Sequence, residues 1–506
     1  MRIVIFSAFI SALVFACDQK PPSESVTSNL EKHRPQFHFT PDSMWMNDPN
    51  GMVYYQDTYH LFYQYYPDST VWGPMHWGHA VSKDMINWEH KPVALYPDDL
   101  GYIFSGSAVV DINNTSGLGT VENTPLVAIF TYHDPVKASA KQVDVETQGI
   151  AYSLDNGESW SKYENNPVLM NPGIRDFRDP KVRWYEPTQR WIMTLAAQDR
   201  IQFYSSLNLK DWSFESEFGK ELGAHGGVWE CPDLFPMTLE NSEEKAWILI
   251  VNLNPGAPNG GSGTQYFIGD FDGNTFTPVD EKTRWLDYGP DNYAGITWSN
   301  TGNRTLFIGW MSNWKYANSV PTERWRSATT IARELFLNKL EDEYIVQSLP
   351  VAEIENITTQ VFDTTSLEIL ESFNVSEIAG FNKPTFELDF EIEDVNGFRV
   401  MLSNQKGNRV IVSFEVENQQ FSIDRSYSGD ISFHKEFGDI IEAPRFSNEK
   451  TMDLKLVVDV ASVELFADDG STVMTAIYFP EQELDEIDII PDTNLSISQL
   501  ELKRVN

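Results

Sequence analysis

The chain has 506 residues with 37 basic and 74 acidic side chains, so its formal net charge is −37. At about 150 residues per domain, this length suggests two to four domains, or one large all-β domain with a companion. A hydrophobic fraction of 41% is ample for packed cores, while the excess of carboxylates excludes nucleic acid and anionic lipid as electrostatic partners.

Residues 1–17 have the pattern of an export signal. One Arg precedes an apolar run that is too short to span a bilayer as a mature helix and ends in small residues before Cys17. This ending resembles a bacterial lipobox, which predicts lipidation of Cys17 and an exported lipoprotein of the cell envelope. The outer membrane is the expected location, facing the periplasm or the outside. An ordinary signal peptide with a chance cysteine is the alternative.

Residues 18–35 are polar and rich in Pro and Ser, which predicts a flexible linker between the lipid and the folded chain. Contact with a membrane is then expected only through the N-terminal anchor. If Cys17 is acylated, Cys231 is the one remaining thiol, and an intramolecular disulfide is impossible.

Short β-branched and aromatic runs between turn residues predict a strand-rich domain over residues 36–345. A polar turn followed by an aromatic residue recurs at 82–88, 153–160 and 206–212, with a weaker copy at 270–276. Units of about 50–70 residues made of short strands are typical of β-propeller blades. This period predicts a five-bladed β-propeller, with a large β-sandwich as the alternative.

A change in composition marks the next domain. All fifteen Trp residues lie between Trp45 and Trp325, and the last 156 residues carry 31 acidic and 11 basic side chains. The boundary is therefore expected near 340–355. Residues 350–506 alternate apolar and polar positions between turns, which predicts a C-terminal β-sandwich and an all-β fold class overall.

Asp48 lies in the polar turn 45–51, where Pro and Gly residues fix a reversal before a strand and Asn47 places an amide beside the carboxylate. The turn presents one carboxylate at the end of a strand. An Asx-turn that only stabilises the loop is the alternative interpretation.

Two further acids have comparable settings. Asp179 follows Arg178, a permanent cation that favours the ionised carboxylate. Glu230 stands between Trp229 and Cys231, and apolar surroundings would raise its pKa, as a general acid near neutral pH requires. With Asp48 they supply the pair of carboxylates that glycoside hydrolysis uses, and a third to orient the substrate.

The sequence resembles glycoside hydrolase family 32, whose members act on β-fructofuranosides. The resemblance runs from about His38 to the C-terminus, and six motifs occur in the family's order, at residues 45–51, 62–64, 77–79, 104–108, 178–180 and 230–232. It implies a five-bladed propeller with a β-sandwich, in agreement with the blade estimate. No cofactor is implied, and no metal site is expected, since His76 and His79 lack further Cys or His ligands.

By this resemblance Asp48 is the expected nucleophile, Glu230 the acid/base and Asp179 the stabiliser of the transition state, in a retaining double displacement. The family's pocket for the terminal fructosyl unit implies the substrate-binding residues Asn47, Gln64, Trp72, Phe104, Ser105 and Arg178. Trp314 is expected to stack on sugar, and Trp45 less so, because core packing is the commoner role of a Trp.

The expected function is that of an exo-acting fructan hydrolase that releases terminal β-D-fructose from levan or inulin and also cleaves sucrose. A fructosyltransferase or a sucrose-specific invertase would use the same site. A surface lipoprotein that binds fructan without cleaving it is an alternative of another class. The oligomeric state stays open.

Overall fold

The structure is a computed structural model that describes residues 31–505. The predicted export signal with Cys17, and residues 18–30 of the predicted linker, lie outside the described residues. The last residues of the predicted linker belong to the folded part, since His33 is buried and Arg34 donates to Thr40 Oγ1 at 2.7 Å. Within residues 31–505, no helix combines the length and the apolar character needed to cross a bilayer.

The described residues form seven antiparallel or mixed sheets, and the first five are consecutive blades of a propeller. Blade 1 contains β1 (Met44–Tyr55), β2 (Thr58–Tyr66), β3 (His76–Ser82) and β4 (Trp88–Leu95). Blade 2 contains β5 (Tyr102–Val110), β6 (Leu126–His133), β7 (Glu146–Ser153) and β8 (Ser161–Lys162). Blade 3 contains β9 (Phe177–Tyr185), β10 (Arg190–Ala197), β11 (Ile201–Ser206) and β12 (Ser213–Phe218).

Blades 4 and 5 each carry an additional short strand. Blade 4 contains β13 (Val228–Thr238), β14 (Lys245–Asn254), β15 (Gly263–Phe271), β16 (Phe276–Pro278) and β17 (Arg284–Trp285). Blade 5 contains β18 (Tyr293–Thr297), β19 (Leu306–Met311), β21 (Ala328–Thr329), β22 (Arg333–Leu340) and β23 (Glu343–Pro350). The short strand β20 (Trp325–Arg326) lies between β19 and β21 in the chain. It pairs in parallel with β1 of blade 1, so the last blade is joined to the first.

The recurrent turn of the sequence occupies the same place in three blades, namely the connection between the third and the fourth strand. In each copy the indole Nε1 donates at 3.1 Å to a backbone carbonyl three residues earlier, at Met85, Gly157 and Leu209. The weaker copy joins β15 to β16, where Asp272 accepts two backbone N–H groups at 2.8 Å. The sequence repeat therefore reports blade periodicity through a local hydrogen-bonded turn.

The C-terminal domain is a sandwich of two six-stranded sheets, and most of its strands alternate buried and less buried side chains as predicted. The strands Ser462–Ala467 and Thr472–Ile477 do not alternate, because one of their faces packs in the sandwich and the other against the propeller. One sheet has the order β24 (Thr358–Ile369), β35 (Leu495–Val505), β26 (Phe386–Ile392), β31 (Met452–Asp459), β32 (Ser462–Ala467) and β33 (Thr472–Ile477). The other has the order β25 (Phe373–Asn374), β34 (Glu486–Pro491), β27 (Phe398–Ser403), β28 (Arg409–Glu415), β29 (Gln420–Tyr427) and β30 (Ile441–Pro444).

Helical structure in the described part is confined to short segments: α1 (Pro135–Ser139), α2 (Val375–Ala379) and three 3₁₀ turns at Glu186–Thr188, Ala317–Ser319 and Ala352–Asn356. The last of these turns lies between the propeller and the sandwich. The predicted end of the propeller at residue 345 falls inside β23, which continues to Pro350 because its hairpin with β22 extends to Arg333.

The two domains are joined by a buried polar cluster, called the interface network below, made of His38, Asp287, Arg333, Asp459 and Glu464. The ring nitrogens of His38 lie 2.8 Å from Asp459 and 2.8 Å from Glu464, and Arg333 donates to Asp287 at 2.9 Å and to Glu464. All five residues are at most 5% exposed. Apolar residues of both domains form one shared core cluster, so the sandwich packs directly against the propeller.

Candidate active site

The innermost strand of every blade is irregular at the same level of the propeller. In β1, β5, β9, β13 and β18 the ladder to the neighbouring strand shifts by one residue near the start of the strand. Such a bulge bends the strand and changes where a side chain points. The extra residues fall at Asp48, at Ser105, at 179–180, at 231–232 and at 294–295.

Three of these bulges hold non-glycine residues with positive φ, namely Asp179 at 64°, Cys231 at 41° and Ala294 at 53°. Such backbone angles are costly outside glycine, and they occur where the surrounding structure fixes a side chain for a function. The bulges thus direct side chains from different blades towards the propeller axis.

The side chains meet around one pocket of about 180 Å³ at this end of the axis. All ten residues that the sequence analysis places at the site line it. They are Asn47, Asp48, Gln64, Trp72, Phe104, Ser105, Arg178, Asp179, Glu230 and Trp314.

Asp48 is held by three neutral donors. Its carboxylate accepts from Ser105 Oγ at 2.8 Å and from Asn47 Nδ2 at 2.9 Å, and its carbonyl accepts from Asn50 at 3.2 Å. Trp45 Nε1 donates to Asn47 Oδ1 at 2.7 Å, which turns the amide N–H₂ of Asn47 towards Asp48. Trp45 itself is fully buried, so it positions Asn47 and offers no face to a sugar. Burial, and then the charge of Glu230, raise the pKa of Asp48.

Glu230 lies among polar groups, and the expectation of apolar surroundings is wrong. Its Oε1 accepts from Arg178 Nη2 at 3.0 Å and Nε at 3.3 Å, and its Oε2 accepts from the hydroxyl of Tyr293. The reason is strand alternation, because Trp229 points into the core of blade 4 while Glu230 points into the pocket. Arg178 is held from its other side by Asp176 at 2.6 Å.

Asp179 differs from the expectation that its neighbour Arg178 keeps it ionised. The pKa of Asp179 is raised to about 7, because burial together with the charges of Glu230 and Asp48 outweighs the attraction of Arg178. The guanidinium makes its hydrogen bonds with Glu230 and Asp176 instead. Asp179 accepts from the backbone N–H of Cys231 at 3.0 Å.

Cys231 lies between two of the carboxylates, with Sγ 3.7 Å from Asp48 and 3.6 Å from Asp179. Burial and the neighbouring carboxylates raise the pKa of this thiol well above its ordinary value, so it stays protonated. It is a free cysteine. A neutral thiol at this position keeps a third negative charge away from Asp48 and Asp179.

The walls of the pocket combine aromatic faces with an unpaired amide. The ring of Phe104 stacks on that of His133, with 4.3 Å between the ring centroids. Trp72, which is 41% exposed at the mouth of the pocket, packs edge-to-face against Phe104 with 6.2 Å between the centroids. Trp314 packs against Trp45 at 5.9 Å. Gln64 is 2% exposed, and its Nε2 has no hydrogen-bond partner among residues 31–505. This amide is therefore a donor available to a ligand in the pocket.

Two residues of the site were missed by reasoning from the sequence. Tyr293, which bonds Glu230, lies outside the six motifs named above, and a Tyr between Asn292 and Ala294 gives no chemical signal. In the sequence, nothing distinguishes Asp176 from the other acidic residues expected in loops. Neither role can be found without knowing which side chains face Glu230 and Arg178.

The two histidines considered for a metal face other partners. His79 lies 3.1 Å from His60, with the two rings stacked, and His76 bonds the carbonyl of Pro74 at 3.0 Å. In the part of the chain that the structure describes, no group of three or more His, Cys, Asp or Glu side chains is placed to hold a metal ion.

Two family models together match almost all of the described chain. The model for the N-terminal domain of glycosyl hydrolases family 32 matches residues 38–348, and the model for the C-terminal domain of that family matches residues 353–504. The chain belongs to glycosyl hydrolase family 32. The all-β prediction of a propeller followed by a sandwich is thereby confirmed, and the described blades number five.

Relatives in the family include enzymes with fructan substrates in their names. A levanase from Bacillus subtilis (strain 168) is 46% identical over 95% of this chain and 71% of its own length. An extracellular exo-inulinase from Aspergillus awamori is 38% identical over 90% of each chain. The chain covers at least two thirds of both proteins.

Solved structures show the same architecture. A crystal structure of the exo-inulinase from Aspergillus awamori superposes with a TM-score of 0.87, at 35% identity, covering 94% of this chain and 98% of that one. A variant fructofuranosidase from Schwanniomyces occidentalis, solved with fructosylnystose, has a TM-score of 0.86 at 33% identity, with coverage of 95% and 98%.

Proposed function

We propose that this family 32 protein is an exo-acting fructan hydrolase that releases terminal β-D-fructose from levan or inulin and also cleaves sucrose. The observation that carries the proposal is a pocket of about 180 Å³, closed at the propeller axis by Asp48, Asp179 and Glu230. Pockets for drug-sized ligands hold roughly 300–1,000 Å³, so this one suits a single sugar unit at a chain end. The levanase and exo-inulinase relatives support the same substrate class.

The chemistry divides between two of the acids. Glu230 gives its proton to the glycosidic oxygen as Asp48 attacks the anomeric carbon C2, so that the C2–O bond breaks and a fructosyl–Asp48 ester forms. Water then attacks C2, its proton passes to Glu230, and the ester bond breaks to release fructose with retained configuration. Asp179 accepts hydrogen bonds from the ring hydroxyls, and its charge stabilises the cationic character of the transition state.

The carboxylates of the pocket lie close enough to influence one another's ionisation. The guanidinium of Arg178 is hydrogen-bonded to Glu230 and to Asp176, and neither Asp48 nor Asp179 forms a hydrogen bond with it. Burial and mutual repulsion raise the pKa of both Asp48 and Asp179. Asp48 and Asp179 therefore hold a proton more tightly than isolated carboxylates do.

We also propose that the protein is exported as a lipoprotein, with Cys17 acylated and residues 18–30 as a tether. The support is the lipobox-like sequence before Cys17 and the polar segment after it. Replacement of Cys17 by Ser should release the protein from the membrane fraction without loss of fructanase activity. Unchanged membrane association of the Cys17→Ser variant would contradict the anchor.

Chromatography of early digests of levan, inulin and sucrose tests the exo activity. We expect fructose as the one early product from both polymers, and rates on the three substrates rank the preference. A ladder of oligosaccharides would contradict exo action, and longer products at high sucrose would identify a fructosyltransferase. Binding of levan without turnover by purified protein would favour the non-catalytic alternative.

A further inference from the structure

The far end of the propeller axis, opposite the candidate active site, contains a second opening. Two clefts of about 350 and 710 Å³ meet there, and both are lined by Arg183, Trp298 and Asn300. The two clefts together are called the distal cavity below. It lies at the C-terminal ends of the same inner strands whose N-terminal ends hold the catalytic carboxylates.

A buried ion pair separates the distal cavity from the active-site pocket. Lys181 Nζ lies 3.2 Å from Asp233 Oδ2 and also donates to the carbonyl of Thr297. Lys181 is 6% exposed and Asp233 is fully buried. Along β9, Lys181 stands between Asp179, which faces the pocket, and Arg183, which lines the cavity. A ligand at Arg183 therefore occupies a different site from the substrate.

The side chain of Arg183, which lines both clefts, has five N–H donors and forms neither a hydrogen bond nor an ion pair among residues 31–505. It is partly buried, and burial lowers the pKa of its guanidinium against the attraction of Asp233. Asp233 accepts instead from Thr297, through its N–H and its hydroxyl, both at 2.7 Å. The guanidinium of Arg183 is therefore available to a ligand in the clefts that it lines.

The carboxylates that line the cavity are bonded to other groups. Asp111 accepts from Thr115 and Ser116, Glu186 from Trp184 and Gln189, Glu240 from Asn338, and Glu334 from Arg304. Lys245 lines the larger cleft and has no ion pair within the described chain. The cavity wall thus carries two cations, Arg183 and Lys245, without an ion pair among residues 31–505.

We propose that the distal cavity binds a small oxyanion through the guanidinium of Arg183, with Lys245 adding positive charge at the wider cleft. Phosphate, sulfate and carboxylate each present two oxygen atoms that a guanidinium can bind through two parallel hydrogen bonds. The charge of Lys181 is already compensated, because its ammonium group is paired with Asp233 and bonded to the carbonyl of Thr297.

Thermal unfolding and isothermal titration with phosphate, sulfate and acetate test the proposal, with NaCl added to constant ionic strength. We expect a saturable rise of Tm and a saturable heat with at least one of the three anions, and their order identifies the oxyanion preferred. Equal shifts with NaCl alone, or no saturable binding by any anion, would overturn the proposal.

Variants locate the site. Arg183→Leu should weaken anion binding at least tenfold. Arg183→Lys should weaken it less, because lysine keeps the positive charge but lacks the two parallel N–H donors of a guanidinium. Arg190→Leu is the matched control, because Arg190 lies in the same blade with its side chain 46% exposed and outside the cavity. Equal anion affinity in Arg183→Leu and the wild type would refute the assignment.

The fructan digest separates this proposal from the function proposed above. Arg183→Leu should hydrolyse levan like the wild type, because Arg183 does not line the active-site pocket. Saturating fructose should leave phosphate binding unchanged. Displacement of phosphate by fructose would place the anion at Arg178 and overturn the distal site.

Discussion

The active-site pocket and the interface network both contain buried carboxylates, but the pKa values of these carboxylates are shifted in opposite directions. In the interface network, Asp459 and Glu464 face His38 and Arg333, and these partners lower the pKa of both acids despite burial. In the pocket, Arg178 makes its hydrogen bonds with Glu230 and Asp176, and the pKa of both Asp48 and Asp179 is raised.

The difference teaches how one chain uses the same side chain for two purposes. An acid matched with a buried cation stabilises the contact between domains, and removing either partner leaves a costly unpaired charge. An acid left under-compensated destabilises the fold but retains a proton or a reactive lone pair for chemistry. The predictions below compare the two clusters directly.

Asp48→Asn should lower hydrolysis of levan by about 10⁴-fold or more, since the substituted amide cannot form the glycosyl ester. The free energy of unfolding should stay the same or rise, because the removed charge was under-compensated. Activity assays and urea titrations measure the two quantities, with the exposed Asp57→Asn as control. Undiminished hydrolysis by Asp48→Asn would refute the nucleophile.

Arg333→Met should show the reverse pattern and reduce the free energy of unfolding by about 3–5 kcal/mol, because Asp287 and Glu464 would remain buried without their cation. Arg399→Met, which removes a 49% exposed partner of Asp492, should cost less than about 1 kcal/mol. Trp fluorescence follows the propeller alone, since the sandwich has no Trp, while circular dichroism follows both domains. Equal losses in the two variants would contradict the role of the network.

Alkaline pH should weaken the interface network. Contacts with Asp459 and Glu464 raise the pKa of His38 from 6.5 to about 9. Its stabilisation is therefore complete below pH 6.5 and is lost as pH rises towards 9, an effect of about 3 kcal/mol. His38→Gln should flatten this part of the stability curve. Urea titrations from pH 6 to 9.5 measure the difference, and parallel curves for the two proteins would disprove the assignment.

Trp72→Ala should have a smaller effect, confined to the pocket mouth. Its indole is 41% exposed and meets Phe104 edge-on, so we expect kcat/KM on levan to fall by about 3- to 10-fold, the range of one aromatic contact. Unfolding should be unaffected. Phe214→Ala, which removes an exposed ring on the outer strand of blade 3, is the control and should leave kcat/KM unchanged.

Much of the architecture could be predicted because it has local causes. The turns at 82–88, 153–160 and 206–212 repeat because blades 1 to 3 have the same hydrogen-bonded connection before their last strand, and the spacing of these turns gives the blade length from which five blades follow. Alternation in strands such as β28 and β29 requires only that one face of a sheet is buried. The predicted flexible linker extended too far, because the contacts that hold His33 come from distant segments.

The sequence by itself determined the chemical inventory: a charge of −37 that excludes polyanionic partners, and motifs that bring ten named residues to one pocket. Tertiary structure alone decided which partner each charge meets. Arg178 adjoins Asp179 in the chain, yet its guanidinium bonds Glu230 on another blade, because a bulge turns Asp179 to Cys231 instead. Proton affinity depends on burial and on charges within a few ångströms, and those are set by packing across blades.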